Sequence, residues 1–353
     1  MADPDRRPQL TLLQAGRGVA ALLVVLYHLG GSIIGDPKFW NVEVDGGLFR
    51  FGHEGVAFFF VLSGFIILHA HLADLGRPER LGEYLFKRAT RIYLPYWVVL
   101  FPLIAIYGAV PTLGRPEISA PAVMLNSPLL VGATSHATLA VAWTLFHEVA
   151  FYALFAVTVL DRRAGVLLLT LWQLACLASL ALPAAPHYAL HPINLLFGMG
   201  MAARLLMAGP VPAPRAIMAA GIALFVTLGL LLNYTRLIDS HTSSLLFGAA
   251  SFLFVLGGVA AESRGLIAAP VALTRLGDAS YSLYLVHFPV LSLLARMLRT
   301  GPLSATPAPV AYVLLAGGAI AAGLAFHHAV ERPLLRLVTR LVRRRRAPAL
   351  TQP

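Results

Sequence analysis

Apolar runs of roughly 20 residues recur along the sequence, and they constrain the fold more than any other feature. Each run has about the length that an α-helix needs to cross the hydrocarbon core of a bilayer. Only 12% of the residues are charged, against roughly 25% in an average soluble domain. The sequence therefore predicts an all-α, polytopic transmembrane helical bundle that forms a single domain over 1–353, with its core at about 10–336. The ten predicted spans are 12–34, 55–73, 92–110, 136–160, 164–182, 191–207, 216–234, 242–260, 278–298 and 308–330.

The positive charges divide unevenly between the two sets of alternate loops. Of the 27 lysines and arginines, 21 lie on one set, which the positive-inside rule assigns to the cytoplasm. Ten spans then place both termini in the cytoplasm, and we expect a multi-pass protein of the cell inner (cytoplasmic) membrane. The basic segment 337–353 is predicted to be a cytoplasmic tail that contacts membrane lipids, so the net charge of +11 indicates no nucleic-acid partner.

The first span carries two ionisable side chains, Arg17 and His28, although such groups cost free energy inside a bilayer. Eleven residues of α-helix make about three full turns, so both side chains leave the same helix face, about 16 Å apart along the axis. Taken singly, Arg17 could be a topology arginine and His28 a helix-packing group. Their shared face favours a functional pair.

Glu148 in the fourth span is the only acidic residue well inside a predicted span. Thr144, Glu148 and Tyr152 recur at i, i+4 and i+8, so they form one polar stripe. A buried carboxylate needs a partner, and we predict that Glu148 is ionised and pairs with a cationic partner, His28 or an arginine, with His28 preferred in the working state. The alternative is a structural clamp between two helices.

Arg88 and Arg91 lie three residues apart at the predicted cytoplasmic boundary of the third span, so they share a helix face. Guanidinium groups match phosphate oxygens bidentately. The pair therefore predicts a binding site for a phosphate-bearing ligand. The alternative is a positive-inside anchor that contacts lipid head groups.

Polar and aromatic side chains near the ends of the spans form a wider set of candidate substrate-binding residues. One lies at the outer mouth of the second span, where the alternative is a solvated loop end, and two lie on roughly one face of the ninth span, where the alternative is packing. The set comprises Glu54, Trp143, Tyr152, Tyr284 and His287. A metal site built on thiolates is excluded because such sites need several cysteines and the chain has one, Cys176.

Six segments occur in an order that resembles a known family: LQAGRGVAALLVVLYH, GHEGVAFFFVLSGFII, FKRATRIYLPYW, WTLFHEVAFY, SYSLYLVHFPV and ERPLLR. Together they are similar to the integral-membrane acyltransferase-3 family, and most of all to its exopolysaccharide or sugar O-acyltransferase subgroup. The ten residues between Arg17 and His28, followed by GV-x-FF-x-LSGF and then R-x-x-R, are the most specific part. The family usually has an aspartate and a leucine before its first arginine, where this chain has Gln14, Ala15 and Gly16.

The resemblance implies ten core helices, an acyl-CoA donor from the cytoplasm and a glycan acceptor on the outer side, such as an exopolysaccharide or lipopolysaccharide sugar. It marks Arg17, His28, Arg88, Arg91 and Glu148 as functional positions. With that chemistry, the three arginines are expected to bind acyl-CoA, most simply acetyl-CoA, while His28 and Glu148 are the expected catalytic residues. Acyl-CoA is then a co-substrate, and we expect no permanently bound cofactor and no metal.

Other interpretations of the same residues stay open at this point. A transporter or flippase for a lipid-linked sugar or small anion would also line a path with Arg, His and Glu side chains, and a membrane scaffold is a third possibility. His28 could act only as a base or become acylated in passing. The HHAVE segment at 327–331 is similar to the histidine-rich motifs of several acyltransferases, but it lacks their aspartate, so we assign it no catalytic role.

Overall fold

The chain folds into helices that run back and forth between two ends of a bundle. The computed structural model describes residues 10–113, 116–132, 136–182, 187–234 and 240–346, and these ranges contain no β-strand. The helices are α1 Thr11–Tyr27, α2 Gly55–His71, α3 Leu81–Ala109, α4 Trp143–Leu160, α5 Arg162–Ala178, α6 Leu195–Leu206, α7 Pro214–Tyr234, α8 Ser240–Ser263, α9 Val271–Asp278, α10 Ser280–Thr300, α11 Ala308–Phe326 and α12 Arg332–Arg346. Two short helices, Pro116–Ser119 and Pro121–Asn126, lie in the loop after α3.

The predicted multi-pass membrane fold is confirmed. Within the described ranges, nine helical stretches are long and apolar enough to cross a membrane, and the predicted span at 191–207 forms a shorter apolar helix, Pro192–Leu206. The third helix begins at Leu81, well before the predicted start at 92. Hydropathy marks only the apolar part of a helix, whereas the first turns of α3 are polar and carry exposed ion pairs such as Lys87 with Glu83 at 2.7 Å, which contribute little to stability.

One face of the short helix α6 is buried, because the helix crosses α2 at very close range. A Cβ atom added to Gly200 would lie 1.9 Å from the carbonyl oxygen of Val61, and one added to Gly64 would lie 2.1 Å from that of Phe197. Only glycines allow two membrane helices to approach this closely. The close crossing with α2 therefore fixes the position of this short helix in the bundle.

Hydrogen bonds identify the two ends of the bundle. At one end, the start of α1 meets the end of α8, where Leu12 N donates to Glu262 Oε1 at 3.1 Å. At the other end, the residues before α2 meet the end of α7, where Phe51 N donates to Asn233 Oδ1 at 3.1 Å. We call the first the arginine end, since Arg17, Arg88 and Arg91 lie towards it, and the second the loop end, after loop 36–49. The assignment of the arginine end to the cytoplasm stays a prediction.

Candidate active site

Helices α1, α2, α3, α4 and α10 enclose a cavity of about 180 Å³ towards the arginine end, which we call the arginine cavity. The lining side chains come from helices that are far apart in the sequence. Arg17 lies on α1, the other two arginines lie on α3, and the polar stripe lies on α4. It also contains Ser63, Thr144 and Ser280. The predicted site residues that line it are Arg17, Arg88, Arg91, Glu148, Tyr152 and Tyr284.

The cavity carries more positive than negative charge. Three guanidinium groups line it against one carboxylate, that of Glu148. Arg88 Nε and Ser280 Oγ are buried and have no hydrogen-bond partner among the described residues. A buried donor without a partner costs free energy comparable to a lost hydrogen bond, so both groups are suited to a ligand that enters the cavity. The surplus positive charge favours an anionic one.

Glu148 is held by neighbouring hydroxyl groups and not by His28. Tyr152 Oη donates a short hydrogen bond to Glu148 Oε1, and Ser63 Oγ donates to the same oxygen at 3.2 Å. The predicted pair of Glu148 with His28 is not formed in this structure, because α4 turns the carboxylate into the arginine cavity. The Arg88 guanidinium lies over the Tyr152 ring, 5.8 Å from its centre, so Tyr152 contacts both Arg88 and Glu148.

A second buried carboxylate, Glu331, lies behind the cavity. It is fully buried and accepts from Arg91 Nη1 at 2.7 Å, from Ser282 Oγ at 2.6 Å and from His327 Nδ1 at 2.8 Å. The prediction that Glu148 is the only deeply buried acid was therefore wrong. Glu331 follows the last apolar residues of the tenth predicted span, and a π-helical turn, His327–Glu331, directs it inwards.

Sequence reasoning thus overlooked Glu331 and Ser282 as members of the site. The available signal was the i, i+4 spacing of His327 and Glu331, which places two titratable groups on one helix face. That signal was outweighed by their place at the end of a span, where ionisable groups usually face water.

His28 pairs with His287 on α10. His287 Nδ1 lies 2.8 Å from the carbonyl oxygen of Tyr284 and 3.1 Å from that of Leu283, so Nδ1 carries the proton and Nε2 is an acceptor. His28 Nδ1 lies 2.9 Å from Val24 O and 3.3 Å from His287 Nε2, two acceptors, so it too carries the proton. The unprotonated atom of His28 is consequently Nε2, the lone pair that a base needs.

Local backbone geometry positions both histidine-bearing segments. Helix α1 changes into a π-helix, His28–Ile34, at His28 itself, as α11 does at His327. Such widened turns occur frequently at functional sites, since they re-aim one side chain without ending the helix. His28 N still donates to Val24 O, so His28 continues the last turn of α1 and the widened turns follow it.

Tyr284 connects the cavity to the histidine pair. Its hydroxyl lies 2.9 Å from Thr144 Oγ1 and donates to Val141 O at 2.7 Å, and its ring centre lies 5.9 Å from that of His287. The histidines therefore occupy the next layer of the bundle beyond the cavity, towards the loop end. Arg17 lies at the cavity and His28 lies at the far end of α1, beside the other histidine.

Besides His287, two predicted substrate-binding residues lie away from the cavity. Glu54 is buried and accepts from Ser243 Oγ at 2.7 Å and from Ser244 Oγ at 3.3 Å, so it joins the start of α2 to α8 and is not a solvated loop end. The ring of Trp143 lies 5.7 Å from that of His147, edge to face, and also outside the cavity. Both predicted roles remain untested, and the structure assigns Glu54 a helix-joining contact.

The sequence was compared with known protein families, curated proteins and solved structures. The family sequence model for acyltransferase-3, described as an acyltransferase domain, matches residues 11–328. One curated relative, the exopolysaccharide production protein ExoZ of Rhizobium meliloti (strain 1021), is 31% identical over 324 residues, which covers 84% of this chain and 94% of that protein. No solved structure matches the chain.

Proposed function

This chain belongs to the acyltransferase-3 family, and we propose that it transfers a short acyl group, most simply acetyl, from acyl-CoA to a hydroxyl of a glycan. The relative's name is that of an exopolysaccharide production protein, so we propose an exopolysaccharide sugar as the acceptor. In this proposal the protein acts in the inner membrane, takes the donor from the cytoplasm through the arginine end and meets the acceptor towards the loop end.

The observation that carries the proposal is the cavity that brings Arg17, Arg88 and Arg91 together, with His28 connected to its lining residue Tyr284 through His287. Coenzyme A has several phosphate charges at one end and its thioester at the other, joined by a long flexible arm. The three guanidiniums suit the phosphates. A cavity of about 180 Å³ holds only part of such a donor, so the nucleotide would stay at the arginine end while the arm reaches inwards.

His28 supplies the base in the proposed reaction. Its Nε2 takes the proton from the acceptor hydroxyl as that oxygen attacks the thioester carbonyl. The new C–O bond forms, the C–S bond breaks, and the proton passes from His28 to the departing thiolate. His287 Nε2 accepts from His28 Nδ1 and so holds the ring in the required tautomer, as a carboxylate does in many catalytic triads.

Glu148 acts, in this proposal, by positioning the donor site. Its carboxylate offsets one of the three guanidinium charges in the cavity and holds the Tyr152 hydroxyl, whose ring lies against Arg88. Loss of the carboxylate charge would leave the arginines mutually repelling and the Tyr152 ring less constrained. This positioning role replaces the predicted contact with His28.

The test in cells is complementation of a strain of the native host that lacks the gene. Mass spectrometry of the surface polysaccharide should show an ester-linked acyl group with the wild-type gene and none with His28→Ala. Lys87→Gln is a control substitution outside the site, because Lys87 is exposed and does not line the cavity, and it should behave as wild type. Identical polysaccharide from the deletion and wild-type strains would contradict the proposal.

A further inference from the structure

A second cavity, of about 320 Å³, lies at the loop end between α1 with its π-helical continuation and loop 36–49. Its volume falls in the range of about 300–1,000 Å³ that is typical of small-molecule sites. It does not share any lining residue with the arginine cavity. The polar and aromatic residues that line it are Tyr27, Asn41, Glu43, Asp45, Phe49 and Arg50.

We infer that this cavity, which we call the loop-end cavity, binds one sugar ring of the acceptor glycan and presents its hydroxyl to His28. The inference rests on the proposed function and adds the place where the acceptor binds and the residues that select it. The ligand class follows from three observations: unused polar groups in the wall, a bare backbone surface and the charge of the lining.

Two polar side chains of the loop-end cavity are available to a ligand. The Tyr27 hydroxyl and the Asn41 amide line it and form no hydrogen bond to the described residues. Glu43 forms an ion pair with Arg50 at 2.5 Å, a combination that offers both acceptors and donors to neighbouring hydroxyls. Asp45, in contrast, holds the loop itself, since its carboxylate accepts from Gly47 N at 3.0 Å and from Tyr312 Oη at 3.3 Å.

Glycines leave part of the wall without side chains. A Cβ atom added to Gly31 would meet no atom within 4 Å, and one added to Gly30 would first meet Asp45 Oδ2 at 3.2 Å. The backbone at Gly31 therefore faces open space, which a larger residue could fill without a clash. Gly46 and Gly47 adopt φ values of +60° and +74°, a left-handed conformation that glycine adopts at low cost.

The charge of the lining indicates which of the two substrates each cavity favours. Two carboxylates and one guanidinium line the loop-end cavity, whereas three guanidiniums and one carboxylate line the arginine cavity. A phosphate-bearing donor is disfavoured beside the extra carboxylate, while an uncharged sugar is tolerated. The described residues also contain no group of three or more carboxylate, His or Cys side chains that could hold a metal ion.

Tyr27 places the loop-end cavity next to the base. Its ring lines the cavity and packs edge to face against the His28 ring, with the two centres 5.0 Å apart. An aromatic ring offers an apolar surface to the C–H face of a sugar. A sugar stacked there would have its hydroxyls beside the histidine pair.

The test uses the full-length protein in lipid vesicles, with acetyl-CoA as donor and, as acceptor, surface polysaccharide from a strain of the native host that lacks the gene. Gly31→Leu should fill the loop-end cavity and raise the KM for the polysaccharide by at least about tenfold, with the KM for acetyl-CoA unchanged. Gly317→Leu is the matched control, because Gly317 is also helical with no atom within 4 Å of an added Cβ, but lies outside both cavities. It should retain wild-type values.

Tyr27→Phe is the second variant, because it removes one hydroxyl and keeps the ring. Loss of one neutral hydrogen bond should raise the acceptor KM by about two- to tenfold, again without a change for acetyl-CoA, and this variant decides the matter if Gly31→Leu does not fold. Wild-type acceptor KM values in a folded Gly31→Leu protein, or in Tyr27→Phe, would overturn the inference. A wild-type protein that transfers no acyl group would instead overturn the proposed function.

Discussion

Arg88 and Arg91 share a helix face, yet the structure predicts different consequences when each is replaced by glutamine. Arg88 has a buried Nε without a partner among the described residues, so this N–H group is available to hydrogen-bond a bound ligand. Loss of one charge-assisted hydrogen bond costs about 1.5–3 kcal/mol, which corresponds to about 10- to 150-fold weaker acyl-CoA binding. Little stability should be lost, because Arg88→Gln leaves no buried ion unpaired.

Arg91→Gln removes the cationic partner of the fully buried Glu331. Breaking a buried ion pair costs about 3–5 kcal/mol, and the 39% exposure of the Arg91 side chain reduces this to about 1–3 kcal/mol. Arg91→Gln should therefore lower the melting temperature by several degrees as well as weaken donor binding. The double variant Arg91→Gln/Glu331→Gln should regain most of the lost stability but none of the lost affinity.

Isothermal titration with acyl-CoA and thermal unfolding of the same detergent-solubilised samples measure the two effects separately. Lys87→Gln, on the same helix and outside the cavity, is the control and should change neither quantity. Equal melting temperatures for Arg88→Gln and Arg91→Gln would refute the division of roles. Unchanged acyl-CoA affinity in both variants would show that these arginines determine only membrane topology.

Three further predictions concern the base, the carboxylate and the helix crossing. His28→Ala should lower turnover by about 10²- to 10⁴-fold at normal expression, and near-wild-type turnover in steady-state assays would remove His28 from the reaction. Glu148→Gln should lower turnover at least about tenfold through weaker donor positioning while the melting temperature stays within about two degrees; a large loss of stability would instead indicate a clamp between helices. Gly200→Leu should abolish folded protein in size-exclusion profiles because its Cβ would lie 1.9 Å from Val61 O, whereas Gly317→Leu, at an open position, should not.

Much of the fold could be predicted from sequence because a bilayer permits few structures. Apolar length and the division of charge are enough to predict a helical membrane bundle. The predicted third span began too late because hydropathy does not follow the polar first turns of a helix, which include Arg88 and Arg91. The predicted span at 191–207 forms a shorter helix at 195–206, whose glycine contacts with α2 depend on a neighbouring helix that hydropathy does not describe.

The candidate site could be predicted in its members but not in its pairings. Helical periodicity placed Thr144, Glu148 and Tyr152 on one face, and all three line the arginine cavity. Periodicity within one helix says nothing about which neighbour that face meets, so the predicted partner of Glu148 was not found. The π-helical turn that buries Glu331 has no simple sequence signature, since it changes the helical period locally.

Transfer by the purified protein tests the central claim most directly. The wild-type protein, reconstituted in lipid vesicles, is supplied with acetyl-CoA labelled in the acetyl group and with surface polysaccharide from a host strain that lacks the gene. The account predicts ester-linked label on the polysaccharide, with free coenzyme A released in equal amount, and no labelled polysaccharide with His28→Ala. Absence of labelled polysaccharide with a folded wild-type protein that binds acetyl-CoA, or equal labelling by His28→Ala, would contradict it.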